Sequence, residues 1–434
     1  MVIDPYLPRQ GNEGYRVTHY ALDLDYKIAS NRLAGRATLT AAAGGPLPRF
    51  SLDLAGMRVA KVNVNGRRAR FAQRQRKLHV TPEKPLVAGA EFTVEVRYSG
   101  NPKPVGGPFG EVGWEELTEG VIVASQPDGA PSWFPCNDHP SDKAGYDLVV
   151  TTDSPYRVVA NGALTDRRVR AGRTTWYYHQ PEPMATYLAT VQIGRYEMLQ
   201  LGRDPVWQLA AVPERLRLSA GHDLARQPRM MALFTDWFGP YPFAGYTVVV
   251  TDDELEIPVE AQGLSVFGAN HMDGRRGSER LVAHELAHQW FGNSLTVAEW
   301  RHIWLNEGFA CYAEWLWSAE SGGASADGHA TTAWRRLAAL PQDLVIGDPG
   351  APSMFDDRLY KRGALTLHAL RTTLGDTRFF ALLRDWTERN RHATVTTEAF
   401  VALAEQYAGR SLAEFFTAWL GRPQLPPRSA LTRE

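Results

Sequence analysis

Residues 278–293 read Ser-Glu-Arg-Leu-Val-Ala-His-Glu-Leu-Ala-His-Gln-Trp-Phe-Gly-Asn. Apolar residues recur here at helical spacing, Ser278 is a good N-cap residue, and Gly292-Asn293 is a stop signal, so the stretch predicts one helix over Glu279 to Phe291. Four residues turn a helix through about 400°, which puts His284 and His288 on one face about one turn apart with Glu285 beside them. Imidazoles so placed can ligate a single ion while the carboxylate handles a proton. The plain alternative is two hydrogen-bonded histidines on an amphipathic helix.

A hydrolytic zinc site needs a third protein ligand and an open fourth position. Glu307 follows His288 by 19 positions and opens an aromatic-rich helical run, Glu307 to Glu320, which leaves room for one helix to end and another to return alongside. A layout with a glycine three positions after His288 and a third histidine three further on is excluded, because Phe291 and Ser294 stand there. Taken by itself, Glu307 would be an acid near a helix N-terminus, stabilised by the macrodipole.

The chain around this stretch divides by period. In the first two hundred residues Tyr20, Leu22, Leu24 and Tyr26, and again Phe92, Val94, Val96 and Tyr98, alternate with polar residues, as half-buried antiparallel strands do. Val62 and Val64 lead into Asn65-Gly66, a hairpin turn signal. Further strands are expected at Leu148 to Thr152, Thr174 to His179 and Tyr187 to Ile193, with a loop over Asn101 to Gly110. Beyond about residue 197 the period becomes helical at Met230 to Phe238, Ala364 to Leu374, Arg378 to Arg389 and Ala399 to Tyr407. Tyr246 to Thr251 and Gly263 to Gly268 read as a small sheet inside that helical part. The expected fold class is therefore α+β, with domains over 1–197 and 198–434.

Composition narrows the function classes. The 434 residues carry 47 Lys and Arg against 48 Asp and Glu, a net charge of −1, which lacks the excess needed for sequence-independent nucleic-acid binding. Anionic membrane surfaces are equally unexpected partners, and no apolar run approaches the ~20 residues that span a bilayer. The two cysteines, Cys136 and Cys311, exclude a disulfide-dense scaffold and favour a reducing compartment. Residues 1–10 lack the basic and apolar regions of a secretion signal, so the expected location is cytoplasmic.

The His284-Glu285-Leu286-Ala287-His288 segment, followed by Trp304-Leu305-Asn306-Glu307-Gly308-Phe309-Ala310, resembles the zinc aminopeptidases of the gluzincin clan, peptidase family M1. Trp133-Phe134-Pro135-Cys136-Asn137-Asp138-His139-Pro140, Tyr187-Leu188-Ala189-Thr190 and Tyr360-Lys361-Arg362-Gly363-Ala364 are similar too, so the likeness runs from about Tyr15 to Pro426. The resemblance implies a saddle-like antiparallel β domain followed by a thermolysin-like, mostly α catalytic domain. It implies one Zn²⁺ per chain held by His284, His288 and Glu307, with Glu285 as the general base. Tyr360 would donate to the tetrahedral oxyanion, and Arg362 stands where the family usually has Lys.

The family's Gly-x-Met-Glu-Asn motif maps onto Ile257-Pro258-Val259-Glu260-Ala261, of which the glutamate survives. Glu260 would pair with the free α-ammonium of a peptide substrate, with Gln126 as a second amine contact. The expected activity is removal of single residues from a free N-terminus. Action on internal or non-peptide bonds, or an inactive peptide-binding relic, are the alternatives. The long C-terminal helical domain of many members has no counterpart here, so a short two-domain form is expected, with a site open to longer peptides or closed by another subunit. Asn293 is expected to orient a zinc ligand or to cap the first helix, Cys311 to be a buried small hydrophobe, and the tryptophans from Trp290 to Trp317 to pack between the zinc-bearing helices.

Overall fold

The computed structural model describes residues 2–431. Among them the alternating stretches form the expected strands. Tyr15–Lys27 buries Tyr20, Leu22, Leu24 and Tyr26 while the residues between them are partly exposed. Arg58–Val64 turns through Asn65 and Gly66, at φ 49° and 74°, into Arg67–Arg68, the positive-φ pair that a tight hairpin asks for.

These strands belong to an eight-stranded sheet. Its order is Ala163–Arg170, Arg173–Met184, Ala144–Asp153, Tyr15–Lys27, Arg32–Ala43, Glu91–Gly100, Arg58–Val64 and Arg67–Arg68. The sheet is mainly antiparallel, as the resemblance implies, with one parallel pairing, of Tyr15–Lys27 with Ala144–Asp153. The two strands are joined by a long excursion through other sheets, which frees them from the antiparallel geometry of a hairpin.

Two local expectations change. Asn101 to Gly110 holds a short strand, Val105–Gly107, antiparallel to Gly110–Leu117. It lies at the edge of its five-stranded sheet, where glycine is tolerated. Tyr187 to Ile193 is a strand only from Val191 onward, because Thr186–Leu188 forms a 3₁₀ turn.

The chain forms two compact units. The first comprises residues 1–200, 209–218 and 243–271, and the second 201–208, 219–242 and 272–434. This differs from a single division after residue 197. Gly245–Val250 and Leu264–Phe267 pair in parallel and share a sheet with Tyr196–Gly202 and Trp207–Pro213. Val249, Leu264 and Val266 from those strands pack with Ile122, Val159, Tyr196 and Ala211. Burial of this common apolar face ties the segment to the β-rich unit.

The helices, in chain order, are α1 (Arg217–Asp223), α2 (Gln227–Phe238), α3 (Glu279–Ala287), α4 (Trp304–Glu320), α5 (Ala326–Ala338), α6 (Asp357–Leu374), α7 (Asp376–Arg389), α8 (Thr397–Ala408) and the short α9 (Ala413–Phe416). Five of them, α2, α4, α6, α7 and α8, begin earlier than their periodicity suggests, and the shifts of α4 and α6 matter for the site. The Asp356 carboxylate caps α6 by accepting from Arg358 N at 2.9 Å, which draws Tyr360, Lys361, Arg362 and Gly363 into the helix. α4 starts at Trp304, so Glu307 lies in its first turn.

α4 and α6 cross with almost nothing between them. A Cβ placed on Gly308 would lie 2.9 Å from Gly363 Cα, and one placed on Gly363 would lie 2.8 Å from Gly308 Cα. Three of the tryptophans expected between α3 and α4 also meet rings outside that pair. Trp290 meets Phe238 and Tyr241, Trp304 meets Phe400, and Trp315 stacks on His329. No helix among the described residues is long and apolar enough to cross a membrane.

Candidate metal centre

In the second unit the two histidines and Glu307 converge. One donor atom from each of His284, His288 and Glu307 lies within 4.8 Å of the others, and all three residues are buried. Glu307 Oε2 is 3.5 Å from His284 Nε2 and 3.4 Å from His288 Nε2. The remaining ring nitrogens are engaged elsewhere: His284 Nδ1 with Glu314 Oε1 at 2.7 Å, and His288 Nδ1 with Phe291 O at 3.0 Å. Both rings therefore present Nε2 to the same point, with a carboxylate oxygen as third donor. A nitrogen, nitrogen and oxygen set of this kind fits a divalent zinc ion.

Charge at the cluster follows the same geometry. Burial opposes an imidazolium at His284, but hydrogen bonds with Glu307 and Glu314 outweigh it and push the pKa up to about 10. Burial would raise Glu307, yet the His288 charge and the bonds from both histidines hold it well below the usual carboxylate range. A centre with this much negative charge favours a cation.

Glu314 is the functional residue that the sequence reading missed. It lies seven positions after Glu307 on the same face of α4, inside the aromatic run, and its other oxygen takes Arg280 Nη1 at 3.3 Å. The two-turn spacing from a ligand is the signal that could have found it. A carboxylate behind a ligating histidine fixes the tautomer and ring orientation. Glu314→Gln is expected to weaken zinc affinity by about 10- to 100-fold. Competition with a chromophoric chelator reads this directly, and unchanged affinity would remove Glu314 from the metal centre.

Glu285 is buried on α3 between the two histidines. Tyr360 comes over from α6, its ring stacked near that of His284 with centroids 6.2 Å apart and planes 17° from parallel. Its neighbours on α6 are occupied differently. Lys361 Nζ donates to Cys311 Sγ at 3.2 Å, and burial pushes the Cys311 thiol up to about 12, as suits a packing residue and not a nucleophile. Arg362, 4% exposed, donates only to main-chain carbonyls: Leu344, Ala418, Trp419, Arg422, Pro423 and Gln424, at 2.6–3.3 Å.

Two details of the first helix change. Ser278 stands at the N-cap position of α3 but its side chain makes no capping bond. Asn293 is not the C-cap, because α3 ends at Ala287 and the Asn293 N–H returns to His288 O at 3.0 Å within the following turns.

Glu260 and Gln126 lie together in the first unit. Gln126 Nε2 donates to Glu260 Oε1 at 2.7 Å. Glu260 sits on the short strand Val259–Ala261, which turns through Gln262-Gly263 to pair with Leu264–Phe267. Gly263, at φ 76°, permits that turn. Ile257, in place of the family's glycine, is 70% exposed and does not contribute to the core.

Comparison with known proteins agrees with this construction. Residues 222–419 match the peptidase family M1 domain, and residues 16–188 match the peptidase M1 N-terminal domain. The crystal structure of an M1 zinc metallopeptidase variant from Deinococcus radiodurans, bound to a Tyr-Ser-Ala substrate, superposes with a TM-score of 0.89 at 33% identity, covering 98% of each chain. Leucyl aminopeptidase of Saccharolobus solfataricus is 23% identical over 408 residues, 86% of this chain and 50% of that protein. Aminopeptidase M1-B of Oryza sativa subsp. japonica is 28% identical over 315 residues, 68% of this chain and 36% of that protein. The chain thus spans about a third to a half of the length of these two curated relatives, but nearly all of the two-domain metallopeptidase. With the three-donor cluster, the neighbouring Glu285 and matches over both parts of the sequence, this chain belongs to peptidase family M1.

Proposed function

We propose that the chain is a zinc-dependent aminopeptidase that hydrolyses the first peptide bond of peptides with a free N-terminus. The observation that carries this reading is the convergence of His284 Nε2, His288 Nε2 and Glu307 Oε2 beside Glu285 and Tyr360. The substrate peptide bound by the Deinococcus protein supports it. His284, His288 and Glu307 would hold one zinc ion, which when bound would supply Lewis acidity for the scissile carbonyl and lower the pKa of the attacking water.

The chain's own groups do the rest. Glu285 takes a proton from the attacking water and returns it to the leaving amine. Tyr360 donates its phenolic hydrogen to the oxyanion as the carbonyl becomes tetrahedral. Glu260 supplies the charge that recognises the α-ammonium, and Gln126, bonded to it, fixes its orientation. The two unpaired, buried cysteines support a cytoplasmic location.

Tyr360→Phe keeps the ring and removes the donor. It is expected to lower kcat by about 10²- to 10³-fold, the range for one oxyanion donor, with a smaller effect on KM and no loss of zinc. Steady-state kinetics and metal analysis check this, and an unchanged kcat removes Tyr360 from the chemistry. The activity itself is tested with one peptide series bearing free or acetylated N-termini, before and after chelation and zinc return. Cleavage of the free peptides alone, lost and restored with metal, is the expected result. Equal cleavage of both forms would replace the exopeptidase reading with an endopeptidase, and silence in both would leave a non-peptide substrate or a binding protein.

A further inference from the structure

A second cleft lies within the second unit, among α2, α4, α5, α6 and α7. It encloses about 770 Å³, within the ~300–1,000 Å³ range of small-molecule sites. One wall is aromatic: Trp237 and Phe380 lie nearly parallel, with ring centroids 6.0 Å apart and planes 25° from parallel. The facing side is acidic, with Asp327 at the start of α5 and Glu320 at the end of α4.

The charges there do not cancel. Arg371 and Asp376 neutralise one another through two hydrogen bonds, at 3.1 and 3.0 Å. Among the described residues, the ion-pair contact of Asp327 is with His368, whose Nε2 is 3.3 Å from Asp327 Oδ1. Burial pulls the His368 pKa down against the pull of Asp327. Glu320 makes no ion pair among the described residues; nearby, Arg229 is turned to the Glu320 main-chain carbonyl at 2.7 Å and to the Trp317 face. Among the described residues that line the cleft, Asp327 and Glu320 thus stand in excess of the Arg371–Asp376 pair.

An independent feature points the same way. His368 is 3% exposed, and its Nε2 approaches Asp327 outside hydrogen-bond geometry, leaving a buried polar edge without a hydrogen-bond partner on the cleft. Its other nitrogen contacts Tyr312 OH at 3.4 Å. Asp327 itself is 84% exposed in its side chain, so it can turn toward a ligand without leaving a core. A carboxylate beside aromatic faces is the arrangement that takes an ammonium group on an apolar body.

We infer that this cleft is a binding site for a primary ammonium carried on a hydrophobic, aromatic-sized body, with Asp327 and Glu320 taking the charge and Trp237 and Phe380 the apolar part. The inference stands apart from the aminopeptidase reading, since none of these residues belongs to the metal centre or to the Gln126–Glu260 pair.

The probe is 2-phenylethylammonium, with 2-phenylethanol as its uncharged counterpart, titrated calorimetrically into the zinc-loaded full chain and soaked into its crystals. The expected result is density for the amine in this cleft with its nitrogen at hydrogen-bond distance from Asp327. Affinity should fall at least about tenfold in Asp327→Asn, with a smaller loss in Glu320→Gln, and the alcohol should not bind measurably. Asp327 is exposed, and Ser325 caps α5 independently by accepting from Gly328 N, so the variant keeps its helix. Equal binding of amine and alcohol, or density only elsewhere, would overturn the proposal. So would binding that survives Asp327→Asn and is lost in Glu260→Gln, which is the pattern that amine recognition by Glu260 alone would give.

Discussion

Glu285→Ala is expected to reduce peptide hydrolysis by about 10²- to 10⁴-fold while leaving the zinc content at one per chain. The magnitude follows from the general base, worth about 10² to 10⁴. The retained metal follows from the geometry, because the three donor atoms that converge come from His284, His288 and Glu307. Those donors keep their supports in the variant: Glu314 still holds His284, and the Phe291 carbonyl still holds His288. Turnover numbers beside metal analysis of the same preparation separate the outcomes. Activity within tenfold of the parent would show that another group moves the proton. Loss of zinc would make Glu285 part of the metal's support and not a carrier.

The largest stability effect is expected at Arg362. Its guanidinium is buried on α6 and gathers six carbonyls from residues 344 and 418–424, so it closes the end of the described chain onto the helix that carries Tyr360. No carboxylate among the described residues pairs with it, and burial pulls its pKa down to about 10, still far above neutrality. Arg362→Met would fill much of the volume but leave those carbonyls without donors. Each orphaned buried group costs about 1–3 kcal/mol. Water entering the site would recover part, so a net loss of about 3–5 kcal/mol is expected. At about 2–4 °C per kcal/mol, the melting transition should fall by roughly 10 °C, as read by calorimetry. Arg362→Lys, with fewer donors in a less rigid geometry, should recover only part of it. A methionine variant that melts with the parent would mean the carbonyls find other donors at no cost.

The sequence made the cluster of His284, His288 and Glu307 legible because the helical geometry that brings such donors together is local. His284 and His288 are four apart on one helix, and Glu307 follows at a distance that one turn and a new helix can span. Glu314 escaped because it contacts His284 from behind and not the donor cluster itself, so its two-turn spacing from Glu307 was the one mark it left in the sequence. Arg362 escaped for a different reason: its partners are main-chain carbonyls, which every residue carries, so no side-chain pattern announces them. Strand identity was visible in period-2 alternation, but the parallel pairing of Tyr15–Lys27 with Ala144–Asp153 joins segments more than a hundred residues apart. The assignment of Gly245–Val250 and Leu264–Phe267 to the β-rich unit depends likewise on a shared core. Alternation says which face of a strand is buried, not which neighbour buries it.

The meeting of Gly308 with Gly363 carries a consequence for how such a centre tolerates change. Glu307 precedes one glycine and Tyr360 stands three residues before the other, so the span from metal ligand to phenol is fixed by two missing methyl groups. A methyl on either glycine would act as a wedge, opening the helix pair by the width of a carbon atom. That would detune the reaction while leaving every reactive group in the sequence intact. At this crossing the catalytic ruler is an empty space, and it has no slack to give.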